Sequence, residues 1–246
     1  PAAAAIPAAF GARASAPPAC RTRRRMGDCM CLEYRIIPVT PYQQNCCVIK
    51  CAQSGKAAIV DPGGDAGRIL TVAAQMRAAV EKILLTHAHV DHCSAADVLR
   101  RQLGVPIEGP HRDDAFWLDG LPDWCRMSGM PPAEPFTPDR WLVDGDTVTV
   151  GEATLAVLHC PGHTPGHVVF HHPGQRLIWV GDVLFKGSIG RTDFPGGSHP
   201  QLIASIRQKL FPLGDDVTFI PGHGSASTFG RERQTNPFVR DPGIVG

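Results

Sequence analysis

The sequence has no uninterrupted apolar run of the roughly 18 residues that a membrane helix needs, and it has no secretory h-region, which argues against an exported enzyme. It has almost no net charge: 24 Lys and Arg against 23 Asp and Glu give +1. That balance excludes the basic footprint of a protein that neutralises nucleic-acid phosphates. It also has no pair of CxxC knuckles, although nine cysteines are present. An odd number of scattered cysteines reads as reduced intracellular thiols, not as a disulfide framework. The Cys29-x-Cys31 spacing sits in a poor context for a metal site. What remains is ordinary globular composition, 43% hydrophobic and 19% charged over 246 residues, enough for one large α/β domain or two small ones.

Residues 1–31 differ from the rest. They are rich in Ala, Pro and Arg, and five arginines against Asp28 make their formal charge +4, leaving −3 for residues 32–246. Such a stretch buries little apolar surface and is expected to be disordered. Its Arg-rich, acid-poor bias has a likeness to an organelle transit peptide. The preferred reading is upstream translated sequence, with Met26 or Met30 as the start and a cytoplasmic domain from residue 32.

From Leu32 onward the pattern is regular. "LEYRIIPV", "NCCVIK" and "AAIVD" read as strands. Ile69, Val72, Met76 and Val80 fall at helical spacing after the turn "PGGD", and "KILLT" is a short apolar strand. Ala95, Leu99 and Leu103 form one face of a second helix, "VPIEGP" a short strand, and "HRDDAFWL" a helical segment. Residues 119–140, with five prolines, read as a long loop. In the second half "DTVTV", "ATLAVLH", "HVVFHH", "RLIWVGD" and "DVTFIPGH" are strands. "SHPQLIASIRQKL" is a helix with Ser198 as N-cap, Gln201 at the capping-box position, and Leu202, Ile206 and Leu210 inward. The two halves are alike in kind, which fits two sheets face to face with helices outside.

The chemistry concentrates in "THAHVDH". His87 and His89 alternate with Ala88 and Val90, so an extended turn after a strand puts both imidazoles on one side. Asp91 and His92 then point elsewhere as a helix begins. One metal rarely takes four ligands from six residues, whereas two neighbouring metals can divide them. Three further candidates follow apolar strands and are flanked by Gly or Pro: His163 in "HCPGHTPGH", Asp182 in "WVGDVLF" and His223 in "IPGHGS". Any one of them alone reads equally well as a turn residue. Four loops of one design do not.

The ordered set His87, His89, Asp91, His92, His163, Asp182 and His223 resembles the signature of the metallo-β-lactamase superfamily, over residues 33 to about 240. The resemblance implies a four-layer αβ/βα sandwich of the α/β class, with the metals at one edge between the sheets. It implies one metal held by His87, His89 and His163, a second by Asp91, His92 and His223, and Asp182 bridging them. Zinc is the expected pair of ions, with iron or manganese as alternatives. A bridging water lowered toward a neutral pKa would be the nucleophile, oriented by Asp91.

Within that family, "GDVLFKGSIGRTDFPGGS" and "PGHGSASTFGRERQTNPF" resemble short, single-domain type II glyoxalases, which hydrolyse S-D-lactoylglutathione to D-lactate and glutathione. Only 23 residues follow His223, so the helical domain that helps hold glutathione in longer relatives has no counterpart. Lys186 and Arg191 become the candidates for the substrate's carboxylates. A second reading is a persulfide dioxygenase with one iron held by two His and an Asp, which also carries a segment like Gly190–Phe194 but typically reads Pro-Ala-His-Asp where this chain has Pro221-Gly222-His223-Gly224. A third is a nuclease of the same fold, disfavoured by the net negative globular part and the absence of a basic arm outside Arg21–Arg25.

Overall fold

The computed structural model describes residues 31–241. The expectation for the leader lies outside them, except at Cys31, whose carbonyl accepts the Ala52 N–H.

The first sheet has five strands in the order β1 (Leu32–Val39), β2 (Gln44–Cys51), β3 (Lys56–Val60), β4 (Ala79–Leu84) and β5 (Ile107–Glu108). β1, β2 and β3 pair antiparallel, and β3, β4 and β5 run parallel. The parallel connections are made by helices: α1 (Ala66–Gln75) between β3 and β4, then α2 (Val90–Cys93) and α3 (Ala96–Leu103) between β4 and β5. Two more helices, α4 (Ala115–Asp119) and α5 (Leu121–Ser128), complete this half.

The second sheet begins as an antiparallel meander of β6 (Thr147–Val150), β7 (Ala153–His159), β8 (Val168–His172) and β9 (Leu177–Gly181). A small hairpin of β10 (Leu184–Phe185) and β11 (Ser188–Ile189) and the helix α6 (His199–Ser205) lead to β12 (Thr218–Pro221), which lies parallel to β9. β13 (Ser227–Thr228) pairs at the edge and α7 (Phe229–Thr235) follows.

Burial shows the layering. Ile49, Ala58 and Leu84 of the first sheet share one core with Leu155, Phe170 and Trp179 of the second, and Tyr34 meets Trp179 edge-on across the gap at 6.0 Å. The other face of the first sheet packs Ile59 and Ile83 against Ile69, Leu99 and Leu118. The other face of the second packs Ile178 and Phe219 against Leu202, Ile206 and Phe229. The molecule is the expected αβ/βα sandwich.

Several local expectations need correction. Val80 belongs to β4, not to the first helix, because the chain leaves α1 through Arg77 in the left-handed region (φ 51). Residues 119–140 are not all loop: α5 forms there, with Pro122 in its first turn, where a missing N–H breaks no helical bond. The other four prolines lie beyond Gly129, where the chain is irregular. Ser198 occupies the N-cap position of α6 but makes no side-chain capping bond; its N–H donates to the Gly162 carbonyl instead. The helix widens into a π-turn over Ile206–Leu210, keeping Leu202, Ile206 and Leu210 buried.

Phe170 is fully buried between the sheets. Phe170→Ala should therefore cost about 3–5 kcal/mol of stability, read from equilibrium chemical denaturation.

Candidate metal centre

Topology collects the candidate residues. β3 and β4 run parallel, and β7 is parallel to β9 because both flank β8 antiparallel; β12 is parallel to β9. Each candidate follows the carboxyl end of one of these strands, so all arrive at one edge of the sandwich. His87, His89, Asp91 and His92 come after β4, His163 after β7, Asp182 directly after β9 and His223 one residue beyond β12. At that edge the two sheets are stitched together: Asn45 N–H donates to the Gly222 carbonyl at 2.7 Å, and Gln44 bridges to His223.

The imidazoles are fixed by their outer nitrogens. His87 Nδ1 lies 3.0 Å from Thr86 Oγ1, and that hydroxyl donates to Asp61 Oδ2 at 2.6 Å. His92 Nδ1 donates to the same Asp61 oxygen at 3.0 Å. His163 Nδ1 donates to the Arg191 carbonyl at 2.7 Å, and His223 Nδ1 to the Tyr42 carbonyl at 3.1 Å. Holding the proton at Nδ1 leaves Nε2 with its lone pair. Nε2 of His87 and His92 and Oδ1 of Asp182 are buried with no hydrogen-bond partner. Buried polar atoms are rarely left so, and these all converge on one place. His89 uses its other edge: its Nδ1 faces His163 Nε2 at 2.9 Å.

Two donor sets result. His87, His89 and His163 present nitrogens within 4.8 Å of one another, and so do the donor atoms of Asp91, His92 and His223. Asp182 reaches both: its oxygens lie 3.6 Å from His163 Nε2, 3.4 Å from His92 Nε2 and 3.6 Å from His223 Nε2. Asp91 Oδ2 is 3.1 Å from His223 Nε2. Neutral imidazole and carboxylate in this proportion suit divalent cations, and the orphaned atoms show that the residues fit them.

The electrostatics divide the rings. Burial, then repulsion from neighbouring imidazoles, holds His87 well below its ordinary value, keeping its lone pair free. Burial is the largest single cause at His92 and lowers it, but the carboxylates of Asp182 and Asp91, with the hydrogen bond that the ring donates to Asp61, together raise it well above its usual value, so a cation bound there would displace a proton from this ring. Burial opposes charge on Asp182 as well, yet His92, His163 and His223 keep it ionised and far below the ordinary carboxylate range.

Glycines make room for this crowding. Gly181 has φ 49, and a Cβ there would stand 2.5 Å from Thr86 Oγ1 and 2.7 Å from the His167 ring. A Cβ on Gly222 would stand 2.1 Å from Asp182 Oδ1.

Three residues of the centre were not singled out from sequence. Asp61, in the left-handed region at φ 50, gathers the Thr86 N–H, the Thr86 hydroxyl and His92. Its place at the end of "AAIVD" was visible, but its partners are 25 and 31 residues away. His167 stacks on His87 (4.6 Å, 17°) and accepts the Asp182 N–H at 3.1 Å. Asp114 is fully buried and accepts from Ala88 N–H, Thr164 Oγ1–H and Gly166 N–H at 3.1, 2.8 and 2.6 Å, so it ties the loop of His87 and His89 to the loop of His163.

A cavity of about 780 Å³ opens over the centre, lined in part by His89, Asp91, His163, Asp182 and His223. Arg191 also lines it, though its guanidinium is paired with Asp193 at 2.8 and 3.0 Å. Lys186 is exposed in the β10–β11 turn and does not contribute to the lining.

The class of protein follows. The chain belongs to the metallo-β-lactamase superfamily, whose model matches residues 39–223. Among its relatives, the hydroxyacylglutathione hydrolase GloC of Haemophilus influenzae is 44% identical over 209 residues, covering 85% of this chain and 98% of that protein. The probable metallo-hydrolase YqgX of Bacillus subtilis is 34% identical over 85% of this chain and 98% of its own length. Of solved structures, TTHA1623 in a di-iron-bound form is 34% identical with a TM-score of 0.76, over 83% of this chain and all of that one. The BLEG-1 B3 metallo-β-lactamase is 36% identical with a TM-score of 0.78, over 87% of this chain and all of that one.

Asp114 supplies a test of the scaffold. Burial pushes its carboxyl up to about 7, against the hydrogen bonds from Thr164, Gly166 and Ala88. An acid raised in the folded state contributes stability that is whole below its unfolded pKa, about 3.9, and is lost as pH rises through the folded value. Asp114→Asn keeps the shape but leaves a donor unmatched, which should cost about 1–3 kcal/mol. By denaturant titration that cost should be larger near pH 5 than near pH 8. A cost that grows with pH would show that the three donors hold the carboxylate ionised.

Proposed function

We propose that the chain is a metal-dependent thioester hydrolase that cleaves S-D-lactoylglutathione to D-lactate and glutathione. The observation that carries this reading is the convergence of the partnerless buried Nε2 atoms of His87 and His92 on the Asp182 carboxylate, which itself lines an open cavity. The 44% identity to a hydroxyacylglutathione hydrolase over nearly that enzyme's whole length supports the substrate.

In this reading His87, His89 and His163 hold one cation, Asp91, His92 and His223 a second, and Asp182 lies between them. Two divalent cations there would lower the pKa of a bound water and polarise the thioester carbonyl. Zinc suits the mixed His and Asp donors, and the related di-iron structure supports two ions while leaving iron open. The remaining work falls to the chain. Asp91 Oδ2, facing the cavity beside His223, orients the attacking water and receives its proton. The water oxygen bonds to the carbonyl carbon, the C–S bond breaks, and the electron pair leaves on sulfur. A thiolate is a good leaving group, so no strong general acid is required. Arg191 offers a charge-assisted contact to one glutathione carboxylate. The thiols of Cys46, Cys47, Cys51, Cys93, Cys125 and Cys160 are buried and outside any disulfide, which supports a reducing cytoplasm.

Metal analysis beside a lactoylglutathione assay tests the proposal. The expected result is close to two divalent ions per chain and steady hydrolysis. A firm stoichiometry of one iron, with no hydrolysis and with oxygen consumed on persulfide, would replace it with the dioxygenase. Asp182→Ala should release at least one ion and slow hydrolysis by roughly three orders of magnitude or more, since two cations would face each other without the shared carboxylate. Normal turnover with both ions bound would reduce Asp182 to a turn residue.

A further inference from the structure

The cavity over the candidate metal centre offers more apolar wall than a lactoyl group can use. Beyond the donor residues its wall is built mainly of Trp117, Trp124, Met127, Phe185 and Phe194, with a volume of about 780 Å³. Trp117 and Phe194 stand edge-on to the ring of His89 at 4.5 and 4.8 Å, so apolar surface begins at the centre itself. Trp124 packs on Trp117 at 4.5 Å and carries that surface outward.

The rim continues it. Met127 is 73% exposed and Tyr42 48%, and both line the opening; Phe116, tilted against Trp117, is 41% exposed. Two of the seven large hydrophobic side chains exposed among the described residues thus line one concave site, and a third, Phe116, packs against its wall at Trp117. Apolar surface so concentrated marks a binding surface, since solitary exposed hydrophobics are otherwise scattered.

Charge points the same way. Arg191 is the only lysine or arginine in this lining, among the described residues. It is already paired with Asp193, and its guanidinium lies 4.4 Å over the Phe194 ring. Glutathione brings two carboxylates to a wall with one partly neutralised cation. An apolar group brought to the same wall leaves water for Trp, Phe and Met surface and loses no hydrogen bond.

We infer that this site prefers thioesters bearing an apolar aliphatic or aromatic group beside the scissile bond over lactoylglutathione. The inference rests on the thioester-hydrolase reading and refines its substrate class. The reaction is unchanged: water adds to the carbonyl carbon, the C–S bond breaks, and a carboxylate and a thiol are released.

Two substrate series given to the metal-loaded full chain test it. In one, the acyl group on glutathione is changed from lactoyl to hexanoyl and phenylacetyl. In the other, the lactoyl group is kept and glutathione is replaced by benzyl mercaptan. In at least one series kcat/KM should exceed that of lactoylglutathione by about tenfold or more, equivalent to about 1.4 kcal/mol; the series that responds identifies the side of the bond that lies on the aromatic wall. Met127→Ser, at an exposed position that does not threaten the core, should raise KM for the preferred substrate and bring the ratio of the two kcat/KM values toward one. Equal efficiencies throughout, or lactoylglutathione as the best substrate, would overturn the inference while leaving the hydrolase reading intact. A Met127→Ser variant that changes the oligomeric state but not the substrate ratio would overturn it too, making the rim an interface between copies. No hydrolysis of any thioester by protein carrying its metals would overturn the hydrolase reading itself.

Discussion

Imidazole rings buried against one another repel when charged and lose solvation even when neutral, so they coexist only if each is held in one tautomer. The rest of the site is arranged around that constraint. Thr86, the carbonyl oxygens of Arg191 and Tyr42, and the Asp61 carboxylate each take one Nδ1, and the inward Nε2 atoms are what remains. Asp61 does the most: one carboxylate secures two rings and the first peptide of the loop, at the cost of a left-handed backbone that aspartate tolerates better than most residues.

These anchors work because the sandwich is stiff at that edge. The ligand-bearing loops leave parallel strands, and Asn45 and Gln44 lock the start of β2 to the end of β12. Asp114 adds a second lock between the His87–His89 loop and the His163 loop from below. A donor set assembled from both sheets therefore keeps separations suited to cations without relying on flexible loops. The cavity wall is different in kind. It is built by Trp117 of α4 and Trp124 and Met127 of α5 together with Phe185 and Phe194, and its chemistry is carried by bulky apolar side chains, not by hydrogen bonds.

Much of this was legible in the sequence. The strands of both sheets, the helical face of Leu202, Ile206 and Leu210, and the seven candidate donor residues all carry local signals: short apolar runs, a 3.6-residue period, and metal-binding residue types at strand ends beside glycine or proline. What escaped has a common physical origin. Asp61, Asp114 and His167 matter through partners at least 15 residues away in sequence, and nothing local announces a buried carboxylate that receives three hydrogen bonds. The helix α5 was hidden because Pro122 counts as a breaker unless it falls in a first turn. Val80 continued a helical period that a left-handed Arg77 cuts short. Lys186 follows Asp182 closely in sequence, but the β10–β11 hairpin carries it away from the cavity, which proximity along the chain cannot foresee.

The division of the donor set between the sheets has a consequence for how the protein comes into being. His87 to His92 belong to the first half, while His163, Asp182 and His223 belong to the second. A nascent chain that has made only the first sheet carries four of the candidate donors, without the Asp182 carboxylate or the histidines that complete each set in the proposed reading. Any ion captured at that moment would be held in the wrong company. If these residues share cations as proposed, the full donor set exists only once β12 has paired with β9, so a chain cut before β12 should hold its metals poorly however well its first sheet has formed.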